Sequence, residues 1–256
     1  MKDILSRAGR QILEQFAASN VLLAFDYDGT LSPIVVDRDR ASMRPTTRQR
    51  LEALAALYPV VVISGRTQAD VLRRLRGTGV CDVVGNHGIE PWQATRSVMD
   101  EVRRWQPLLR GRLSSLRGVQ IEDKGFSVAV HYRQSREKKR ARALILEAAS
   151  RLGDVRVIGG KQVVNILPKD APHKGLALER ERERLGCDTA IYVGDDETDE
   201  DVFTLDQPGR LLTIRVGHKR ASMADYCIRS QRDIDSLIHA LLTLRNRSHA
   251  LQRGRA

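Results

Sequence analysis

Cysteine is scarce in this chain: Cys81, Cys187 and Cys227 are the only three among 256 residues, widely spaced and without a CxxC pair. That usage excludes a disulfide framework and a cysteine-based zinc site, and makes a reducing cytoplasm the default compartment, with all three expected as small buried hydrophobes. Aromatic residues amount to 4%, which leaves little for stacking on nucleic-acid bases. No apolar run approaches the roughly 18 to 20 residues needed to cross a bilayer. The N-terminal stretch MKDILSRAGRQILEQF is amphipathic and carries acidic residues, without the apolar core or the small-residue cleavage site of a signal peptide. The expectation is a cytoplasmic protein with no membrane partner.

What is present supports a globular fold. Hydrophobic residues make up 41% of the chain and charged residues 29%, enough for one large or two small domains with a packed core. The net charge is +11, which favours anionic partners without choosing among nucleic acid, membrane surfaces and phosphorylated small molecules.

Three short β-rich runs end abruptly in polar residues. Val21–Phe25 leads into Asp26-Tyr27-Asp28-Gly29-Thr30, Val60–Ile63 into Ser64-Gly65-Arg66, and Ala190–Val193 into Gly194-Asp195-Asp196. Each is too short for a helix and suits a buried strand. Helical periodicity lies between them, over Thr47–Leu57 and Thr67–Leu75. The alternation predicts an α/β fold, a doubly wound parallel sheet with helices on both faces, whose ligands bind beyond the carboxyl ends of its strands.

The stretch from 92 to 170 reads differently. A helical segment, a β-rich stretch over Gln120–Arg133, a basic helix over Ser135–Leu152 and β-like runs at Val155–Ile158 and Lys161–Leu167 predict an inserted α+β domain. Residues 1–91 and 171–256 then form the core, with Pro91, Pro168 and Pro172 as hinge markers. The Arg-rich tail Arg245–Ala256 is expected to fray.

Asp26 and Asp28 are two apart at a strand end, so extended backbone points both carboxylates the same way. Two such groups repel unless a cation intervenes. Asp195, Asp196 and Asp199 form a second acidic group at another strand end, and a hard, oxygen-ligated cation such as Mg²⁺ complements both. The chemistry this suggests is metal-assisted phosphoryl transfer. Asp26 attacks phosphorus, Asp28 serves as acid and then base, and Ser64 and Lys174 hold the other phosphoryl oxygens. Lys174 stands out because the chain has eight lysines against 35 arginines, so lysine is not its generic surface cation. Ser64 has a second reading as the cap of the helix that follows, and the Asp195–Asp201 run as a solvated helix start.

These segments, Asp26–Leu31, Ser64–Arg66, Lys174 and Gly194–Asp201, resemble in order the four motifs of the haloacid dehalogenase superfamily of phosphohydrolases. Within it the chain most resembles the trehalose-6-phosphate phosphatases, through Gly85–Glu90, Glu122–Gly125 with His131-Tyr132-Arg133, and Ala171–Gly175. The resemblance runs from about Leu22 to Phe203. It implies Asp26 as nucleophile and Asp28 as acid/base. Magnesium would sit on the Asp26 carboxylate, the Asp28 carbonyl and the Asp195 carboxylate, with Asp196 and Asp199 in support. The inserted domain would be a mobile cap, and the partners a sugar phosphate, trehalose 6-phosphate, and the synthase that makes it.

Strict alternation in Phe126–Arg133 places Phe126, Val128, Val130 and Tyr132 on one face and His131 and Arg133 on the other. Lys161 and Asn165 share a face in the next run. With Arg66, Asn86, His87, Glu122 and Lys124, these are the candidate sugar-phosphate contacts. Asn165 is a departure, standing where the family pattern usually has a glutamate. An amide is the weaker acceptor, so phosphates of sucrose, glucosylglycerol or other glycosyl groups stay open as substrates. A non-enzymatic alternative rests on the basic segment Arg133–Arg142, which as a helix face could bind nucleic-acid phosphates. The low aromatic content and an arginine excess spread along the chain favour a solvated helix and no nucleic-acid partner.

Overall fold

The computed structural model describes the backbone of residues 1–253 and the side chains of 1–247. The chain runs β1 (Lys2–Asp3), α1 (Arg7–Ala18), β2 (Val21–Phe25), α2 (Pro45–Ala55), β3 (Val60–Ile63), α3 (Gln68–Leu75) and β4 (Asp82–Val84). It continues through α4 (Arg96–Leu113), β5 (Gln120–Asp123), β6 (Val128–His131), α5 (Lys138–Ser150), β7 (Val155–Gly160) and β8 (Val163–Pro168). It closes with α6 (Lys174–Arg184), β9 (Thr189–Gly194), α7 (Glu200–Phe203), β10 (Leu211–Val216), β11 (Tyr226–Ile228) and α8 (Ile234–Arg253).

Seven strands form a parallel sheet in the order β1-β11-β10-β9-β2-β3-β4. Its central strands are continuous apolar runs because helices cover both faces. Leu23, Phe25, Val60 and Val62 pack with α1, α2, α3 and α8, while Leu22, Ala24, Val61 and Ile63 pack with α6 and α7. This is the α/β architecture the alternation predicted. Its order sets β9, β2 and β3 side by side, so the three polar strand ends converge on one edge.

Between β4 and α6 the chain builds a second, antiparallel sheet, β5-β6-β8-β7. One face packs on α4 and α5 through Val128, Val130, Tyr132, Val164 and Ile166; the other looks toward the strand ends of the parallel sheet. The β-rich stretch Gln120–Arg133 is two strands joined by the turn at 124–127.

The structure corrects several sequence expectations. Lys161 lies in the turn between β7 and β8, not in a strand, because Gln162 takes the left-handed conformation. The tail does not fray at Arg245. Helix α8 continues to Arg253, and the Arg245 guanidinium stacks 4.6 Å above the Tyr58 ring while bonding the Ala17 and Ser19 carbonyls. Residues 254–256 of the expected tail lie outside the described residues. Cys81 is exposed, unlike Cys187 and Cys227, and all three are free thiols. Lys138, Lys139, Arg140 and Arg142 are exposed at the start of α5. Among the described residues no helix is long and apolar enough to cross a membrane.

Leu23 is fully buried at the centre of the parallel sheet. Leu23→Ala is therefore expected to lower the unfolding free energy by about 2–5 kcal/mol, read from urea denaturation; a loss below about 1 kcal/mol would contradict this packing.

Candidate active site

The convergence of β9, β2 and β3 brings Asp195, Asp26 and Ser64 to neighbouring positions. The Asp26 N–H donates to Val193 O at 2.9 Å, continuing the β2–β9 ladder one residue beyond the strand. The chain then turns at Gly29, with φ +88°, against the Asp195 side chain; a β-carbon there would run into that carboxylate. Glycine is required on both counts. Gly65 similarly admits the His87 ring against its backbone.

Beneath this edge, the first residue of α6 supplies a buried ammonium. Lys174 Nζ donates to Asp26 Oδ1 at 2.9 Å and to Asp199 Oδ1 at 2.7 Å, and all three residues are buried. Asp199 also accepts from the Tyr192 hydroxyl at 2.6 Å and from the backbone N–H groups of Asp195 and Asp196 at 2.7 and 2.8 Å. Burial raises the Asp199 carboxyl, but the Lys174 charge and these bonds outweigh it and hold the pKa low. Burial pulls Lys174 down, yet Asp199 and Asp26 together push it well up, so it stays charged. Asp26 is raised well above the usual carboxylate range by burial and by Asp199 and Asp195, against Lys174. Asp195 is pushed up to about 6, by burial first and then by Asp199, with Lys161 opposing.

The site thus carries more buried negative charge than its cations balance. Asp26, Asp195 and Asp199 each offer a carboxylate oxygen within 4.8 Å of the others, and Asp195 Oδ1 is buried without a hydrogen-bond partner. A divalent cation with oxygen ligands fits this set. Asp26 and Asp195 are the candidate ligands, because both Asp199 oxygens are already engaged. Asp196 shapes the loop through a reciprocal cap with Asp199. Arg215, buried on β10, donates to the Asp195 carbonyl at 2.5 Å and to Glu200 Oε1 at 2.9 Å, fixing the same loop from behind.

Asp28, beside Asp26, is gripped by Arg66: Nε donates to Oδ2 at 2.5 Å and Nη2 to Oδ1 at 2.8 Å. Arg66 is held in turn by Asp70 at 2.7 Å. With its donors so engaged, Arg66 positions Asp28. Ser64 is buried, its Oγ accepting from Arg66 N at 3.2 Å. It does not cap α3. Thr67 does, its Oγ1 accepting from the Asp70 N–H.

Above these groups the antiparallel sheet overhangs a cavity of about 820 Å³ that stays open to solvent. Asp26, Asp28, Ser64, Arg66, His87, Glu122, Lys124, His131, Arg133, Lys161, Asn165, Lys174, Asp195 and Asp196 all line it. His87 is buried in a left-handed conformation, and neither ring nitrogen has a hydrogen-bond partner. Burial and the charges of Lys124 and Lys174 hold its ring neutral, which leaves one donor and one acceptor for a ligand. Lys124 donates to Gly65 O at 2.9 Å and to Asn165 Oδ1 at 3.2 Å. The amide accepts this bond but brings no charge, and burial pulls Lys124 down to about 7. Burial likewise brings His131 to about 4, so its neutral ring lies 2.9 Å from Glu122 Oε2.

Three expected contacts have other partners here. Asn86 is not in the cavity wall. Its side chain accepts from Ser127 Oγ at 2.7 Å and donates to Glu90 Oε2 at 2.8 Å and Lys124 O at 3.2 Å, pinning the 124–127 turn to the core. Lys161 Nζ reaches across to Asp195 Oδ2 at 2.5 Å, and Glu122 is paired with Arg38. Sequence reasoning missed Arg38, Asp70, Tyr192 and Arg215. Of these only Arg215 left a mark, as a charge inside the apolar run Leu211–Val216.

With this geometry in place, the match to the trehalose-phosphatase family over residues 24–227 decides the relationship. The chain belongs to that family. A trehalose-phosphate phosphatase of Mycobacterium marinum is 35% identical over 249 residues, covering 90% of this chain and 63% of the relative. The chain therefore spans a little under two thirds of that relative's length. In fold it is similar to the C-terminal domain of a C. albicans trehalose-6-phosphate phosphatase, with a TM-score of 0.77, 21% identity, and 92% and 97% of the two chains covered. An Aspergillus fumigatus trehalose-6-phosphate phosphatase gives a TM-score of 0.61 at 25% identity, over 96% of this chain and 100% of the other.

Lys174→Met leaves Asp26 and Asp199 buried without their cation. Its expected cost is about 3–5 kcal/mol of stability, measured by urea unfolding near neutral pH; a loss below about 1 kcal/mol would show that the pair is not what holds these carboxylates.

Proposed function

We propose that the chain is a Mg²⁺-dependent cytoplasmic phosphatase that hydrolyses trehalose 6-phosphate to trehalose and phosphate, with residues 92–170 acting as its cap. The observation that carries this reading is the placement of Asp26, buried on Lys174, with Asp28 beside it in the wall of the cavity. Family membership supports it, as do the names of the M. marinum and A. fumigatus relatives.

Asp26 supplies the attacking oxygen, held in place by Lys174 Nζ on its other lone pairs. As the bond from Asp26 to phosphorus forms, the bond from phosphorus to the sugar oxygen breaks, and Asp28, which must enter protonated and loosen its Arg66 pair, gives that oxygen its proton. Asp28 then takes a proton from water as the water attacks the aspartyl phosphate. Phosphate leaves, and both aspartates return to their starting state. Two of the three Lys174 N–H groups are used on carboxylates, so one remains for a phosphoryl oxygen, with Ser64 on the adjacent strand end. A magnesium ion on the Asp26 and Asp195 carboxylates and the Asp28 carbonyl would offset the charge of an anion approaching an anion.

The cavity wall offers two neutral imidazoles, His87 from the core and His131 from the cap, with Glu122, Lys124, Arg133 and Asn165 of the cap. This mixture of donors and acceptors suits sugar hydroxyls. Arg133 Nη1 donates to Val35 O at 2.6 Å across the cavity mouth, so it also helps hold the cap closed.

The test is phosphate release from trehalose 6-phosphate, sucrose 6-phosphate and glucose 6-phosphate, with Mg²⁺ or EDTA. Selective, Mg²⁺-dependent release from trehalose 6-phosphate that Asp26→Asn reduces by at least about a thousandfold is the expected result. Preference for another sugar phosphate would move the substrate, and near wild-type turnover by Asp26→Asn would overturn the mechanism.

A further inference from the structure

The two sheets meet over the cavity through a few direct bonds, some ending on backbone and others, such as Lys161 on Asp195 and Ser127 on Asn86, on side chains. Arg133 reaches Val35 O and Lys124 reaches Gly65 O. Arg38 makes a different contact. Its guanidinium meets both carboxylate oxygens of Glu122 on β5, a bidentate geometry that fixes orientation as well as distance.

Arg38 lies in a helical turn, Arg38–Arg40, on the loop that follows the Asp26–Thr30 strand end. The core grips the backbone of that loop. Arg66 Nη2 donates to Arg38 O at 2.7 Å, and Arg74 bonds the carbonyls of Asp39 and Ala41. Arg66 is also the residue that holds Asp28, so a single side chain fixes both the acid/base candidate and the base of the Arg38 contact. The loop is therefore anchored to the core by its backbone and to the antiparallel sheet by the Arg38 side chain.

A carboxylate has about four lone-pair sites. Arg38 fills two on Glu122, and His131 Nε2 lies against the same pair, 2.9 Å from Oε2 and 3.4 Å from Arg38 Nη1. Glu122 keeps acceptor capacity for a ligand, and the Arg38 fork sets how this carboxylate and the His131 ring sit in the cavity wall. The pair is also releasable, because the Arg38 and Glu122 side chains are 42% and 21% exposed. Ion pairs of that exposure shift an equilibrium by only about two- to fivefold, which suits a cap that must open for product to leave.

We propose that Arg38 is a positioning residue for the sugar: it orients the Glu122–His131 pair toward one sugar hydroxyl and ties the closed antiparallel sheet to the loop beside the phosphoryl site. This rests on the sugar-phosphate reading above and adds a specificity role that the family motifs do not contain.

The test compares kcat and KM of Arg38→Met and Arg38→Lys on trehalose 6-phosphate and on p-nitrophenyl phosphate, which has no sugar. Arg38→Met is expected to raise KM for trehalose 6-phosphate about fivefold, to lose several times less on p-nitrophenyl phosphate, and to add less than about twofold to the loss of Glu122→Gln. Arg38→Lys keeps the charge without the fork and should recover only part of the loss. Equal losses on both substrates, a loss in kcat alone, or multiplicative losses with Glu122→Gln would overturn the proposal. A second arm needs no sugar. Spin labels on exposed Cys81 and on Leu108→Cys, 52% exposed on α4, report the separation of the two sheets. Arg38→Met should broaden the distance distribution toward longer values, and an unchanged distribution would contradict the closure role. If the wild-type enzyme prefers another sugar phosphate, the trehalose reading falls, while the same ratio on that substrate and the spin-label arm still decide the role of Arg38.

Discussion

The Lys174 ammonium, withdrawn from water between Asp26 and Asp199, is the interaction on which the rest of the site depends. Burying one ion costs several kcal/mol, and burying three is tolerable only when charge and hydrogen bonds are matched at short range. The match here is incomplete by one charge, since two carboxylates face one ammonium. Asp199 wins the competition for stabilisation, with four bonds from Lys174, Tyr192 and two backbone N–H groups shared over its two oxygens. Asp26 and Asp195 are left in need of a cation, and their raised pKa values express that need. The same imbalance that would destabilise a purely structural cluster is what makes this one suited to bind a metal and then a phosphate.

The antiparallel sheet completes the site by placing charges opposite that imbalance. Lys161 meets Asp195 directly, and the Gly159-Gly160 end of β7 lies close against the Glu197 and Asp196 side chains. These contacts, with Arg38–Glu122 and the Asn86 anchor on the 124–127 turn, describe a cap resting on the core. They also show that cap residues read first as sugar ligands serve partly as closure contacts. A sugar phosphate entering this cavity must displace or share some of them, which links substrate recognition to cap position.

Much of this was legible in the sequence, for physical reasons. The β2, β3 and β9 runs are apolar throughout because both faces are covered, and their polar ends break sharply. The pattern alone therefore groups Asp26, Asp28, Ser64 and Asp195. Lys174 stood out because lysine is rare in an arginine-rich chain. The alternation in Phe126–Arg133 separated the packed face of β6 from the face bearing His131. What stayed hidden depends on partners distant in sequence. Nothing near Asn86 reveals that its amide is also consumed by Ser127 and the Lys124 carbonyl, and nothing near Arg38 points to Glu122. The polarity of the tail suggests fraying, while packing of α8 on α1 and α2 and the Arg245–Tyr58 stack hold its start in place.

The central claim is that Asp26, poised on Lys174, becomes covalently phosphorylated during turnover. Acid-quenching the enzyme during steady-state hydrolysis of the sugar phosphate, followed by peptide mass spectrometry with and without hydroxylamine, tests it most directly. The account predicts a hydroxylamine-labile phosphoryl group on the peptide containing Asp26 and located on that residue. Sustained turnover with no such adduct, or with the phosphoryl group on Asp28 or elsewhere, would contradict it.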